Sequence, residues 1–379
     1  MKYLILSFAL FLGLPGGTPT LTDRTPETHR TPETRKVQIA LLLDTSNSMD
    51  GLIEQAKATL WNLVNEFGSV RCPERRMPVL EIALYEYGND GLDAQEGYIR
   101  QVMPFSRDLD LVSERLFGLR TNGGEEYCGA VIQKAMRQLT WSSGQSDLRF
   151  VFIAGNEPFN QGGTSYRNAL ENSTEKDVVV NTIFCGDYQL GVQTLWAEGA
   201  RLGKGQYSSI DQNREVVHIS TPYDQIIIRL NSRLNRTYIG YGQAGASRKK
   251  MQAAQDTEAE EMAEAVMVAR AVSKSNAFYS NESWDLVDAA SQPGFDADQL
   301  DKSTLPDSLR TLGKAEFNKR LDRLRTEREQ LQKEIRDTQV KREAYLRTHT
   351  QEAASELQNA LLDAIREQAA RKHYTWEKP

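Results

Sequence analysis

The chain has 379 residues and a formal net charge of −6. This charge argues against nucleic acid as a partner, because phosphate binding requires a basic face. Hydrophobic residues make up 39% of the chain, enough to bury a core, so the composition is not that of a disordered protein. The length suits one large domain with an extension, or two domains.

Residues 1–17 have the pattern of a secretory signal. Met1 and Lys2 precede an apolar run that ends at Leu14, too short for the roughly 20 residues of a membrane-spanning helix. No Ala-x-Ala cleavage site follows, so an uncleaved N-terminal anchor is the alternative. We expect the protein to be exported to the periplasm, cell surface or medium, with no membrane span beyond this segment.

Residues 18–36 predict an extended linker. The unit Arg-Thr-Pro-Glu-Thr occurs twice in this stretch, and repeated Thr-Pro with alternating charges cannot bury a core. We infer no function for it beyond spacing.

The segment Gln38–Leu43 is an apolar run that ends abruptly in Asp44-Thr45-Ser46-Asn47-Ser48. Such a run predicts a buried parallel strand, with Asp44 and the serines at its carboxyl end, where open α/β sheets bind ligands. Oxygen ligands without Cys or His suit a hard cation, Mg²⁺ first and Mn²⁺ or Ca²⁺ as alternatives. The same residues are also typical of a turn and a helix N-cap, so both interpretations stand at this point.

Strand and helix patterns alternate along the following residues. This alternation predicts an α/β fold, a doubly wound and mostly parallel sheet with helices on both faces. The predicted strands are 79–85, 97–102, 148–154, 178–184 and 215–219, and the predicted helices are 52–67, 109–117, 130–139, 166–172, 192–202 and 223–234.

Residues 37–240 resemble a von Willebrand factor A domain. The resemblance rests on Asp-x-Ser-x-Ser after the first strand and on the Gly-rich loop Gly123-Gly124-Glu125-Glu126, placed within the strand and helix order. It implies a metal-ion-dependent adhesion site. The ligands that it implies are Asp44, Ser46, Ser48 and Glu125.

The third loop of this site departs from the family pattern. In the family an Asp usually follows the fourth main strand, whereas Gly155 stands at that place here. Asn156 and Glu157 are the possible substitutes, through a shifted backbone or a water. The alternative is a weakened or vestigial metal site.

The chain contains three cysteines, Cys72, Cys128 and Cys185. An exported protein can form disulfides, and both Cys128 and Cys185 are predicted at the carboxyl-end rim, so this pair is the expected bridge. A catalytic role for Cys128 is the alternative. It would require a base, but the one histidine of this domain, His218, falls in a predicted strand.

The C-terminal part changes to helical composition. Residues 241–313 predict helices separated by turns, 314–372 one long charged helix, and 373–379 a tail. Apolar residues of the long helix recur at steps of three and four, the pattern of a coiled-coil seam interrupted by Arg328, Thr338 and Arg342. Self-association through this helix and a helix packed on its own chain are both open. The seam residues are Phe317, Leu321, Leu324, Leu331 and Ile335.

These observations favour a non-enzymatic binding or adhesion module of the cell envelope. The serine hydroxyls carry no charge, so a cation bound beside them would attract a carboxylate of a protein partner. One alternative is a structural assembly factor that acts through the coiled coil and keeps a vestigial metal site. A Cys- or metal-dependent hydrolase is the rival from another class.

Overall fold

The structure is a computed structural model that describes residues 35–73, 75–211, 219–349 and 356–376. The predicted signal, the linker up to residue 34, the strand around His218 and the last three residues of the tail lie outside the described residues. In the described ranges, no helix combines the length and the apolarity that crossing a membrane requires.

Within the described ranges, six strands form the main sheet in the order β4-β3-β1-β5-β6-β7, and a short antiparallel pair joins β2 to β8. Neighbouring strands of the main sheet are parallel except for β3 and β4, so the predicted, mostly parallel fold class is confirmed. The strands are β1 (Lys36–Asp44), β2 (Val70–Arg71), β3 (Val79–Tyr87), β4 (Ile99–Ser106), β5 (Leu148–Gly155), β6 (Val179–Cys185), β7 (Lys204–Ile210) and β8 (Thr375–Trp376).

Strand β1 lies at the centre of the sheet, and its sequence explains why. Successive side chains of a strand point to opposite faces. Leu41 and Leu43 therefore pack in one hydrophobic cluster and Ala40 and Leu42 in another. A strand that is buried on both faces needs a continuous apolar run, which is the pattern seen before Asp44.

Helices cover both faces of the sheet. Helices α3, α4 and α6 pack on the face of Leu42, whereas α1, α2, α7, α8, α9 and α13 contribute to the cluster on the face of Leu41. The helices are α1 (Asp50–Gly68), α2 (Leu109–Phe117), α3 (Cys128–Gln138), α4 (Tyr166–Glu175), α5 (Tyr188–Gln193), α6 (Trp196–Leu202), α7 (Asp224–Asn235), α8 (Gly245–Met262), α9 (Glu264–Ser273), α10 (Leu286–Ala289), α11 (Asp307–Arg310), α12 (Lys314–His349) and α13 (Glu356–Arg371).

Of the single helix predicted for residues 314–372, the structure describes two helical stretches, α12 and α13, which lie on either side of residues 350–355. The first three seam residues of α12 pack with Leu286 and Leu309 in a separate small cluster. Leu331 and Ile335 belong to the main core beside α7 and α9. All five seam residues are thus buried within this chain, which favours a helix packed on its neighbours over an intermolecular coil.

Candidate functional site

Asp44 ends the central strand β1 and is fully buried. Its Oδ1 accepts a hydrogen bond of 2.7 Å from the Ser46 N–H, which turns the chain sharply after the strand. The Thr45 N–H donates to the Tyr87 carbonyl and the Thr45 carbonyl accepts from Asn122 N–H, each at 2.9 Å. The loop after β1 is therefore held between the end of β3 and the Gly-rich loop.

The two serine side chains of this loop face each other and do not cap the following helix. Ser46 Oγ and Ser48 Oγ lie 3.3 Å apart, and Ser48 Oγ accepts a 3.0 Å bond from Asn156 Nδ2 of the third loop. Neither the short 3₁₀ turn Asn47–Met49 nor α1 has a side-chain hydrogen bond at its N-cap. The capping alternative therefore loses its support, and the hydroxyls are available to a ligand.

Two buried oxygen atoms at this place have no hydrogen-bond donor among the described residues. They are Asp44 Oδ2 and Asn156 Oδ1. A buried carboxylate or amide oxygen without a partner is costly, in the range of about 1–3 kcal/mol or more. A cation bound among Asp44, Asn156 and the serine hydroxyls would supply the missing partner, so this donor set fits a hard divalent ion.

The second acid of the site is Glu126, whereas the sequence predicted Glu125. Glu126 is buried, with 4% of its surface exposed. A Cβ added to Gly88 would lie 2.7 Å from Asp44 Oδ1 and 2.8 Å from Glu126 Cγ, so both acids border the same small space, at a glycine with φ +77°. Glu125 is exposed, and its carboxylate accepts a bond from Gln161 Nε2 at 3.2 Å.

Both acids have raised pKa values. Burial raises the pKa of Asp44 well above its usual value, and the neighbouring Glu126 raises it further. Burial likewise raises the pKa of Glu126, although the neighbouring Asp44 and Ser46 side chains oppose the rise. Two carboxyl groups this close disfavour double ionisation unless a proton or a cation lies between them.

The third loop contributes an amide instead of a carboxylate. Asn156 points at Ser48, as described above, whereas the side chain of Glu157 is exposed and its backbone N–H donates to Glu126 Oε2 at 3.4 Å. No group of three or more His, Cys, Asp or Glu side chains in the described ranges could hold a metal ion. A cation at this site would therefore rely on two carboxylates together with hydroxyl and amide oxygens.

All three cysteines are free thiols, and the predicted Cys128–Cys185 bridge is wrong. Cys128 belongs to the hydrophobic cluster on the α3 face, and Cys185 to the cluster on the α1 face. The two thiols therefore lie on opposite faces of the sheet, although both are near its carboxyl end. Burial also raises the pKa of Cys128 well above its usual value, which disfavours the thiolate that a catalytic role requires.

No family profile and no curated protein matches the chain. Among solved structures it is similar to the VWA domain of SpRpn10, with 14% identity, a TM-score of 0.35, and coverage of 48% of this chain and 91% of that one. Its structural neighbours are von Willebrand A-domain proteins.

Two further solved structures are similar to 46% of this chain. One is an aerotolerance-related membrane protein from Bacteroides fragilis, with 19% identity, a TM-score of 0.33, and coverage of 46% of this chain and 92% of that one. The other is proximal thread matrix protein 1 from the mussel byssus, with a zinc-occupied MIDAS motif. It has 11% identity, a TM-score of 0.34, and coverage of 46% of this chain and 42% of that one.

Proposed function

We propose that this protein is a non-enzymatic binding module that holds a divalent cation at the Asp44 loop and binds a protein partner through it. The main support for the proposal is the buried, unpartnered Asp44 Oδ2, which lies beside Gly155 of the third loop, together with the serine hydroxyls of the Asp44 loop, which cap no helix. Mg²⁺ is the first expectation, with Mn²⁺ or Ca²⁺ as alternatives, because these ions prefer oxygen ligands.

The residues of the site form two groups: buried side chains that supply charge, and side chains at the rim that a partner can reach. Asp44 and Glu126 are buried and supply negative charge, and Ser46 supplies a neutral oxygen beside them. Ser48 is exposed and lies with Asn156 at the rim, so a partner would approach from this side. When bound, the cation would supply an electrostatic attraction for an oxygen of the partner, in the first place a carboxylate.

Calorimetric titration with Mg²⁺ and with Mn²⁺ tests the metal. We expect one cation per chain for the unaltered protein and no saturable binding after Asp44→Ala, because the only fully buried carboxylate of the loop is removed. Asp50→Ala is the matched control, since this exposed aspartate lies nearby and bonds to Thr121. Null traces for the unaltered protein, or equal binding by Asp44→Ala, would overturn the proposal.

We also propose that the partner is a protein of the cell envelope, because residues 1–17 have the pattern of an export signal. Capture from an envelope extract should retain the partner in Mg²⁺ and release it in EDTA, and Asp44→Ala should retain nothing. Retention that EDTA and Asp44→Ala leave unchanged would place the contact elsewhere on the molecule. The seam of α12 is a poor place for it, because its apolar residues are buried.

A further inference from the structure

Tyr87 fills the corner of the candidate metal site where the third loop begins. It ends β3 directly beside Asp44, and it is fully buried. Its Oη donates a 2.9 Å hydrogen bond to the Ala154 carbonyl and lies 3.8 Å from Cys128 Sγ. The hydroxyl therefore fixes the backbone of the last residues of β5.

This hydroxyl explains why residue 155 is a glycine. A Cβ at Gly155 would lie 2.5 Å from Tyr87 Oη, which is shorter than a normal van der Waals contact. It would also lie 3.2 Å from Asp44 Oδ2. The backbone of Gly155 does not have a positive φ, so steric exclusion by the tyrosine, and not backbone conformation, requires glycine. No carboxylate side chain fits at this position while Tyr87 is in place.

The residue after Gly155 supplies the side chain that the third loop brings to the site. Asn156 follows Gly155 directly and donates from Nδ2 to Ser48 Oγ at 3.0 Å, with its Oδ1 turned inward without a donor among the described residues. Nδ2 carries a second N–H, which is free to meet an acceptor that arrives from the rim. The side chain that the third loop turns toward Ser48 is thus a neutral amide, and the two buried carboxyl groups of the site are those of Asp44 and Glu126.

We propose that Tyr87 is a positioning residue that excludes a carboxylate side chain at position 155 and directs Asn156 at the cation and at the incoming carboxylate of the partner. The inference rests on the proposed function and assigns the recognition of the partner's acid to the Asn156 amide. A carboxylate in place of the Asn156 amide would repel an acidic partner, whereas an amide N–H can donate to it.

Tyr87→Phe in the full chain tests the positioning role, with Tyr85→Phe as the matched control. Tyr85 is also fully buried in β3, and its hydroxyl donates to Gln138 Oε1 at 3.0 Å instead of to the third loop. Each variant loses one hydrogen bond of a buried tyrosine; because the bond to Gln138 is only partly buried, Tyr85→Phe should lose no more thermal stability than Tyr87→Phe. Only Tyr87→Phe should weaken Mn²⁺ binding, by about three- to tenfold, which corresponds to one neutral hydrogen bond.

Gly155→Ala provides an independent test by a double-mutant cycle. Alone it should weaken Mn²⁺ binding, because its Cβ displaces Tyr87 Oη; combined with Tyr87→Phe it should cost less than the sum of the two. Equal Mn²⁺ affinity for Tyr87→Phe and the unaltered chain, or additive losses in the cycle, would overturn the inference while the proposed function stands. A lack of Mn²⁺ binding by the unaltered chain would overturn both.

The Asn156 role has its own measurement, the effect of added acetate on the proton relaxation of water bound to Mn²⁺ in the site. Acetate should displace that water from the unaltered protein. Asn156→Asp should bind Mn²⁺ more tightly and respond to acetate several-fold less, because the new carboxylate repels the probe. An unchanged acetate response in Asn156→Asp would contradict the assignment.

Discussion

Asp44 and Glu126 are two acids that lie together where water is excluded. This arrangement makes the stability of the metal-free protein depend on pH. Burial raises both pKa values in the folded chain above those of the unfolded chain. The folded state therefore binds protons more tightly, and its stability falls as the pH rises through the folded pKa values. A bound cation would remove this loss.

Glu126→Gln should therefore stabilise the metal-free protein and weaken its response to metal. At pH 8 without metal, we expect a higher melting temperature than for the unaltered protein, and the two should converge at pH values below about 4, where both acids are protonated. The rise in melting temperature on adding Mn²⁺ should be smaller for the variant. Glu125→Gln is the control, since that side chain is exposed. A lower metal-free melting temperature at pH 8 for Glu126→Gln would contradict this account.

The sequence could predict the Asp44 loop but could not choose between the two adjacent glutamates. A strand pattern fixes which side chains face the core, whereas the loop of residues 121–127 has no periodicity from which to read a direction. The choice is made by packing against Gly88, a residue that lies 38 positions earlier along the chain from Glu126. The predicted Cys128–Cys185 disulfide was wrong for a related reason. The position of a residue along the rim of the sheet does not say on which face of the sheet its side chain lies.

At the scale of elements, Arg328 of α12 shows that a residue which interrupts a sequence pattern can form a buried contact between elements. Arg328, which interrupts the predicted seam, is buried over the ring of Tyr238, with 4.0 Å between the guanidinium carbon and the ring centroid. It donates to Thr237 Oγ1 at 3.0 Å and pairs with Asp285 at 2.6 Å and Asp288 at 2.5 Å. The helix is thereby fixed to the segment that follows α7 and to α10.

Arg328→Met should destabilise the protein strongly, because the fully buried Asp285 carboxylate would lose its cation. Removal of one partner of a buried ion pair typically costs about 3–5 kcal/mol. Arg325→Met on the same helix is the matched control; its pair with Asp322 is largely exposed, so we expect a change of about 0.5 kcal/mol or less. Urea unfolding of both variants measures the difference, and similar losses for the two would refute a special role for Arg328.

Elements with strong local patterns were predictable, and those that depend on distant contacts were not. Helix α2 has its predicted ends, residues 109 and 117, and β5 extends its predicted range by one residue. Strand β7 was missed, because this edge strand is only half buried for most of its length and lacks a marked alternation. The predicted helix 192–202 is divided into α5 and α6, where Leu195 adopts a φ of +72°.

At the scale of the whole molecule, a buried ionic network joins the C-terminal helices to the sheet domain. Asp110 of α2 pairs with Arg270 of α9 at 2.9 Å, and Asp256 of α8 pairs with Arg270 at 2.5 Å and with Lys274 at 2.6 Å. Lys274 also donates to Asn235 of α7 at 2.8 Å. Four helices from both parts of the chain therefore share one set of charges.

This network predicts an alkaline gain in stability. Burial lowers the pKa of Lys274 to about 8 from the usual 10.5, although Asp256 opposes the shift. Between these values the unfolded chain binds more protons than the folded one, so the contribution of Lys274 to stability rises with pH. Relative to Lys274→Met, the unaltered protein should gain about 2 kcal/mol between pH 7 and pH 9.5. A difference that is flat or falls over this range would contradict the prediction.

From the same contacts we predict that residues 37–240 do not fold on their own. Helix α9 packs on α1 in the main core, with Val268 fully buried and Arg270 stacked 4.7 Å above the ring of Trp61. A chain of residues 35–240 would expose this side of α1 to water, at a cost of roughly 25 cal/mol for each Å² of apolar surface. Sheets of this kind require cover on both faces.

We therefore expect the 35–240 chain to aggregate or to unfold over a broad temperature range, while a chain of residues 35–376 unfolds in one sharp transition. Circular dichroism during heating, with light scattering at each temperature, distinguishes the two. The longer chain is the control because it keeps the helices that cover α1. If the 35–240 chain were monomeric and melted sharply at the temperature of the longer one, the C-terminal helices would be an attached domain and not a part of the core.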